Sequence, residues 1–330
     1  MATQAQGLTT RSAYTASPVR LSSAPNRMRL SVREITDAYM ANYAGHDRSR
    51  PQVLARWCQY LGDWLLSDLN ADAIGHALDD MAQTPIRRYV GKDDAGEPIY
   101  KDLNLPTPAT VARWRALFSA VLTWAIRRRL TPKGWINPCR EIELESVRNA
   151  RIRFLTEGEC KRLLRVSRLS SWPKLYLLIL MGITTGARRG ELMRLRYRDI
   201  SLAAGTAHLP DTKNGDPRVL PLTAPVLDEL RRFGRPASPD HLLFGRPAYP
   251  DRPFHFQKPW LKALQDARIE DFRFHDLRHT CASYLAQNGG GLHDIANVLG
   301  HRQLDVTRRY AHLTIDSKAA LVGRVMGDIA

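Results

Sequence analysis

The chain has 330 residues, 44% of them hydrophobic and 25% charged, which excludes a fibrous or low-complexity protein and allows more than one hydrophobic core. Lysines and arginines (49) outnumber aspartates and glutamates (33), and the formal net charge of +16 favours a polyanionic partner, nucleic acid first among them. Cys58, Cys139, Cys160 and Cys281 show no metal-ligand spacing and read as reduced core thiols, no stretch reaches the roughly 18 apolar residues of a membrane span, and no secretory signal is evident, so a soluble, cytoplasmic protein without a membrane partner is expected.

Residues 1–30 are rich in Ser, Thr, Ala and Gln without periodicity and predict a disordered N-terminal tail. A helical domain is expected over 31–138. Val32, Ile35 and Tyr39 share one helical face, Leu54, Trp57, Leu61, Trp64 and Leu65 another, and Ile74 and Leu78 continue the pattern. Residues 86–100 interrupt it with two short runs around a glycine turn, the pattern of a hairpin-like insert. Thr107 then caps a long helix, with Pro108 at its first position and Val111, Trp114, Phe118, Val121 and Ala125 along its buried face. The basic run Arg127 to Arg129 at its end matches the helix dipole or reaches a nucleic-acid backbone. Residues 139–153 are charged, lack an apolar face and read as a linker. A second domain, 154–330, opens with the capping-box pair Thr156 and Glu159. A buried helix in "WPKLYLLILMGITTG" follows. Short strands in "RDISL", "GTAHLP" and "RVLPL" come next, with Asn214-Gly215 as a hairpin turn, and the pattern is helical again from Phe254. The fold expected is mainly α with a small antiparallel β-sheet.

The chemistry-bearing positions lie in the second domain. In "TTGARRGELMRL", Arg188 stands where one helix ends at Gly186 and another begins, among free backbone N–H groups. A guanidinium there can pair with a phosphate, although an arginine at a helix start is more often simply solvated. Glu191, one turn on, can hold neighbouring donors. Lys213, at the edge of a tight hairpin, either marks a solvated edge or swings into a cleft as a proton donor. In "RFHDLRH", His275 and His279 could grip a metal, or His275 and Arg278 could face a phosphate at the start of a helix capped by Asp276. The metal reading is the weaker: Asp276 stands where a glutamate is needed, and no third ligand has a supporting spacing. His279 then reads as a structural residue. Gly300 ends a short helix packed by Leu292, Ile295, Val298 and Leu299, and His301 follows. Tyr310, after Arg308 and Arg309, is either a packing residue or a nucleophile. As a nucleophile its phenol, of pKa about 10, requires positive surroundings and a proton acceptor.

Together, "TGARRGEL", "TKNGDPRVLPL", "HDLRHTCASYL", "LGH" and "TRRYAHL" resemble, in order and spacing, the catalytic domain of tyrosine recombinases of the phage-integrase type, over roughly residues 154–315. The resemblance implies a site-specific DNA recombinase that cleaves and rejoins duplex DNA through a 3′-phosphotyrosine, for integration or excision of a mobile element. By that resemblance Tyr310 is the nucleophile and Lys213 the general acid on the leaving 5′-oxygen. Arg188 and Arg278 hold the non-bridging oxygens, His275 and His301 assist by hydrogen bonding and proton transfer, and Glu191 matches an accessory acidic position. No cofactor is implied, neither metal nor ATP. The partners implied are duplex DNA bearing a recombination site, a homotetramer assembled on it, and optionally an accessory directionality or bending protein, with nucleoid association when bound. The helical domain is similar to the family's core-binding domain, and the two lobes would clamp duplex DNA. Ala187, where the family more often has a larger apolar residue, and the 86–100 insert depart from the pattern. Two other readings use the same residues: a type IB-like relaxing topoisomerase, and a DNA-binding regulator that keeps the fold without cutting, which has no need of Lys213 or Tyr310.

Overall fold

The structure, a computed structural model, describes residues 30–144, 151, 153–210, 217–234, 236–301, 307–314 and 322–323. The tail expected over 1–30 lies outside them except for its last residue, as do Lys213, the Asn214-Gly215 turn and most of the chain after residue 314. The chain divides into two compact units, Met1–Asn149 and Ala150–Ala330.

The first unit is a helical bundle with a hairpin inserted in it. Helix α1 (Val32–Ala41) opens with a capping box in which the Ser31 hydroxyl accepts from the Glu34 N–H and the Glu34 carboxylate accepts from the Ser31 N–H. Helices α2 (Arg50–Leu61) and α3 (Ala71–Gln83) follow. The exposed antiparallel pair β1 (Arg87–Lys92) and β2 (Pro98–Asp102) then precedes α4 (Pro108–Arg127), with Thr107 capping and Pro108 in its first turn. The core forms where α2 meets α4: Trp57 stacks on Phe118 at 4.3 Å between ring centroids, and its indole N–H donates to the Trp114 carbonyl at 3.1 Å. Trp64, expected on the buried face of α2, is instead 42% exposed. The helix stops at Leu61 and Gly62, so the helical spacing no longer applies beyond it, and Leu66 takes the core position.

The stretch 139–153, expected as a linker, is not one piece. Cys139 is fully buried in the first unit's core, and the Arg115 guanidinium donates to the carbonyls of Cys139 and Ile142 at 2.8 and 2.9 Å. At the other end, Arg151 pairs with Asp271 and Asp276 of the second unit at 2.8 and 2.9 Å. Arginine-to-carbonyl and arginine-to-carboxylate bonds anchor these charged residues, and hydrophobic periodicity does not register such bonds.

The second unit opens with α5 (Glu157–Ser167), whose Thr156–Glu159 capping box is complete, Glu159 also holding Arg153. Helix α6 (Leu175–Thr185) is apolar around its whole circumference and runs through the core. The short α7 (Arg189–Leu192) is followed by an antiparallel sheet in the order β3 (Ile200–Ser201), β4 (Thr206–Leu209), β5 (Arg218–Pro221). Beyond the expected strands come α8 (Ala224–Phe233) and a small hairpin, β6 (Gly245–Arg246) with β7 (Tyr249–Pro253). Helices α9 (Gln257–Asp266), α10 (Asp276–Gln287) and α11 (Leu292–Leu299) follow, and a 3-10 turn covers Arg308–Thr314. Helix α10 packs against α6, α11 and the 3-10 turn, and so gathers the residues described next.

Phe118→Ala removes one face of the Trp57 stack and should destabilise the first unit by about 3–5 kcal/mol. Native-state hydrogen exchange checks this: α2 and α4 amides should lose protection while α6 amides keep theirs.

Candidate active site

Two helix ends set by glycine frame the site. Gly186 ends α6 with φ +59°, a left-handed conformation, and a Cβ there would lie 2.4 Å from Leu299. No side chain fits, and the chain reverses directly into Arg188. The backbone N–H of Arg188 donates to one oxygen of Glu191 at 2.8 Å, and its guanidinium donates to the other at 2.7 Å. Gly300 ends α11 with φ +66°, and a Cβ there would meet the Arg218 side chain at 2.7 Å. His301 follows at once, its Nδ1 paired with the Thr307 hydroxyl at 2.8 Å.

Glu191 is buried and ties these pieces together. Besides Arg188 it accepts from Arg218 at 3.4 Å, and Arg218 donates to the Val298 carbonyl at 3.1 Å. Arg218, on β5, therefore links the sheet, α7 and the end of α11. Nothing in its local pattern marks it, since an arginine on a short strand usually faces water. Its value becomes visible only beside Gly300.

Arg278, in the first turns of α10, is buried and donates through Nη1 to the Gly186 carbonyl at 2.8 Å. Its Nη2 and the Nε of Arg218 are buried with no partner among the described residues. A buried donor left in this condition costs about 1–3 kcal/mol, and an entering anion would relieve it. Burial, reinforced by Arg188 and Arg218, pushes the Arg278 pKa down to about 10. Glu191 opposes that shift but does not cancel the local excess of positive charge.

Asp276 was expected to cap α10. The chain already turns through i→i+3 bonds from Arg273, so Asp276 is instead the first residue of the helix. Its buried carboxylate reaches back to the Arg273 N–H at 2.8 Å and holds Arg151. His275 lies just before the helix, open to solvent, its ring perpendicular to that of His279 with centroids 5.5 Å apart. Partial desolvation and then Arg278 hold its pKa below the ordinary value.

Tyr310, on the 3-10 turn, is 1% exposed, and its hydroxyl lies 2.5 Å from Nδ1 of His279. Burial pushes its pKa up to about 12, with Arg309 and Arg278 pulling the other way. Burial likewise takes His279 and His301 down to about 4, His301 further through Arg278, Arg188, Arg309 and Arg218. Residues 188, 218, 278, 301 and 310, distant in sequence, thus belong to one electropositive cluster. Lys213 lies outside the described residues. His279, expected to be scaffold, touches the tyrosine oxygen. The sequence signal for it is its place one turn after His275, a spacing that also fits a pair of metal ligands. Among the described residues, no group of three or more His, Cys, Asp or Glu side chains is arranged to hold a metal ion.

Such a cluster can bind an anion and present a phenol beside it. Residues 153–316 match the model of the phage integrase family. The chain is 30% identical over 290 residues to the shufflon-specific DNA recombinase of Escherichia coli, covering 88% of this chain and 71% of that protein. It is 25% identical over 291 residues to the integrase of Salmonella phage P22, covering 81% and 71%. In fold it is similar to the Tn1549 transposon integrase in complex with a circular intermediate DNA, with a TM-score of 0.68 and 17% identity over 90% of this chain and 99% of that one. A lambda integrase dimer bound to a core site gives a TM-score of 0.61 at 16% identity, covering 86% and 78%.

Buried His279 and half-buried His301 have folded pKa values of about 4 against 6.5 for the free side chain. Their contribution to stability is complete above pH 6.5 and is lost as the pH falls through 4, with a slope approaching ~1.4 kcal/mol per pH unit for each proton taken up. Urea midpoints measured from pH 7.5 to 4.5 should fall in this window, and His301→Gln should make the fall shallower.

Proposed function

The chain belongs to the phage integrase family, the tyrosine recombinases that cut and rejoin DNA at specific sites, and we propose that Tyr310 is its nucleophile and that it moves a mobile element as a tetramer on duplex DNA. The observation that carries the site assignment is the convergence of Arg188, Arg278, His301 and Tyr310 in one electropositive cluster whose buried donors include two with no partner among the described residues.

The scissile phosphodiester docks on Arg188 and Arg278, whose guanidinium groups hold its non-bridging oxygens as negative charge builds there. Phosphoryl transfer depends mainly on position and electrostatics, and these arginines provide both without reorganising at the moment of reaction. Glu191 keeps Arg188 in place and leaves the cluster positive. The Tyr310 oxygen attacks phosphorus, the 5′-oxygen departs, and Lys213 protonates it. The 3′-phosphotyrosine conserves the energy of the broken bond, so the 5′-hydroxyl of another strand can attack it without ATP. His301, fixed by Thr307, and His275 at the rim hydrogen-bond the phosphate. The first unit, 31–138, contributes DNA contacts beside the catalytic unit, consistent with the net charge of +16. A mobile-element role is supported by the named relatives, a shufflon recombinase and a phage integrase. Four copies around a Holliday junction, acting in the cytoplasm with an optional directionality factor, complete the reading.

A duplex nicked near the crossover point tests it. Wild type should form a covalent complex in EDTA and Tyr310→Phe should not. Loss of the complex in EDTA would count against the metal-free scheme. Arg188→Ala should bind the duplex normally yet cleave about 10²–10³-fold more slowly. A defect confined to binding would remove Arg188 from the transition state.

A further inference from the structure

Attack by a tyrosine requires that its proton go somewhere, and the structure holds a specific acceptor beside it. His279 Nδ1 lies 2.5 Å from the Tyr310 hydroxyl, with both side chains buried. The direction of this bond follows from its surroundings. The groups facing His279 are Asp276 and Arg278 on its own helix, His275 just before that helix, and Arg309 and Tyr310 on the 3-10 turn. Burial and the cationic neighbours keep the imidazole neutral, and only Asp276 opposes them. Burial also keeps the phenol protonated. A protonated phenol beside a neutral imidazole donates its O–H to the bare Nδ1, leaving the ring proton on Nε2. Of the two histidines implied by the family resemblance, His301 has its Nδ1 paired with Thr307, and His275 is exposed, its ring in a T-shaped contact with that of His279. Among the described residues, His279 is the histidine hydrogen-bonded to the tyrosine oxygen.

We propose that His279 is the catalytic base of the cleavage step, taking the Tyr310 proton on Nδ1 as the phenolic oxygen attacks phosphorus and returning it on religation. The inference rests on Tyr310 being the nucleophile. The step balances: the tyrosine O–P bond forms and the P–O5′ bond breaks, the phenol proton passes to Nδ1, and the 5′-oxygen receives its own proton from Lys213. In the reverse direction the imidazolium returns its proton to the tyrosine oxygen as the 5′-hydroxyl gives its proton back to Lys213. In the DNA-free site the arginine field opposes an imidazolium. A phosphodiester seated on Arg188 and Arg278 brings in negative charge, which raises the imidazole's affinity for the proton. The phenolic oxygen also loses its basicity as the bond to phosphorus forms, and that drives the transfer. Before DNA binds, the same hydrogen bond holds the nucleophile inward, consistent with its 1% exposure.

His279→Asn separates positioning from proton transfer, because an amide oxygen near the place of Nδ1 still accepts from the phenol but cannot take its proton. In single-turnover cleavage of the nicked duplex, this variant should bind DNA as wild type does and cleave at least ~10²-fold more slowly. Its rate should rise with pH more steeply than that of wild type, as hydroxide replaces the missing base. A substrate with sulfur in place of the 5′-bridging oxygen needs no general acid, so it should rescue Lys213→Ala but not His279→Asn. Cleavage by His279→Asn at the wild-type rate, or its rescue by the sulfur substrate, would overturn the proposal. If both His279→Asn and His279→Gln lose DNA binding or thermal stability, the residue is structural and the proposal is likewise overturned. A covalent complex formed by Tyr310→Phe would instead remove the nucleophile assignment, an outcome distinct from the other results.

Discussion

One buried carboxylate, set among a buried guanidinium group and two partly buried ones, is the constraint on which the site in the second unit depends. Glu191 accepts from the Arg188 backbone, from its side chain and from Arg218, and so fixes the start of α7 and the end of α11 relative to each other. It does not neutralise what surrounds it. Arg278 remains buried with a nitrogen that has no partner among the described residues and a depressed pKa, a costly arrangement unless an anion completes it. On the proposed function, stability is given up locally so that charge stabilisation is already in place when a phosphodiester arrives.

The rest of the unit makes that arrangement rigid. Helix α6, buried on every side, ends at a glycine that tolerates no side chain, and the carbonyl at this terminus receives Arg278. The second glycine, at position 300, leaves room for Arg218 to reach the Val298 carbonyl and places His301 beside Thr307. Helix α10 then contributes Arg278 to the anion side and His279 to the tyrosine side from consecutive positions. Their side chains diverge by about 100° around the helix axis, which would separate the two roles proposed for them, anion binding and proton acceptance.

Much of this was legible beforehand because it is local. The Thr156–Glu159 box, Thr107 and Pro108 at the start of α4, and Gly186 and Gly300 as helix ends all appear where short-range backbone chemistry puts them. The misreadings arose where a second force acted. Trp64 fell outside the core because the helix bearing its pattern stopped early. Asp276 became the first residue of its helix because a tight turn moved the free N–H groups upstream. The ends of the linker expected over 139–153 are packed because arginines reach carbonyl and carboxylate acceptors with no period in the sequence, while the division between the two units falls within it, between Asn149 and Ala150.

Residue types and their spacing alone thus determined the helical character, the helix ends, the basic balance and the family to which the catalytic motifs point. These follow from backbone propensity and from which side chains the chemistry requires. Tertiary structure alone decided which partner each group takes. Arg218 became the strut between Glu191 and α11, and His279, not His275, met the tyrosine oxygen. Such pairings join residues 27 to 92 positions apart in the chain, and they exist only because packing of apolar faces brings distant polar groups within bonding distance.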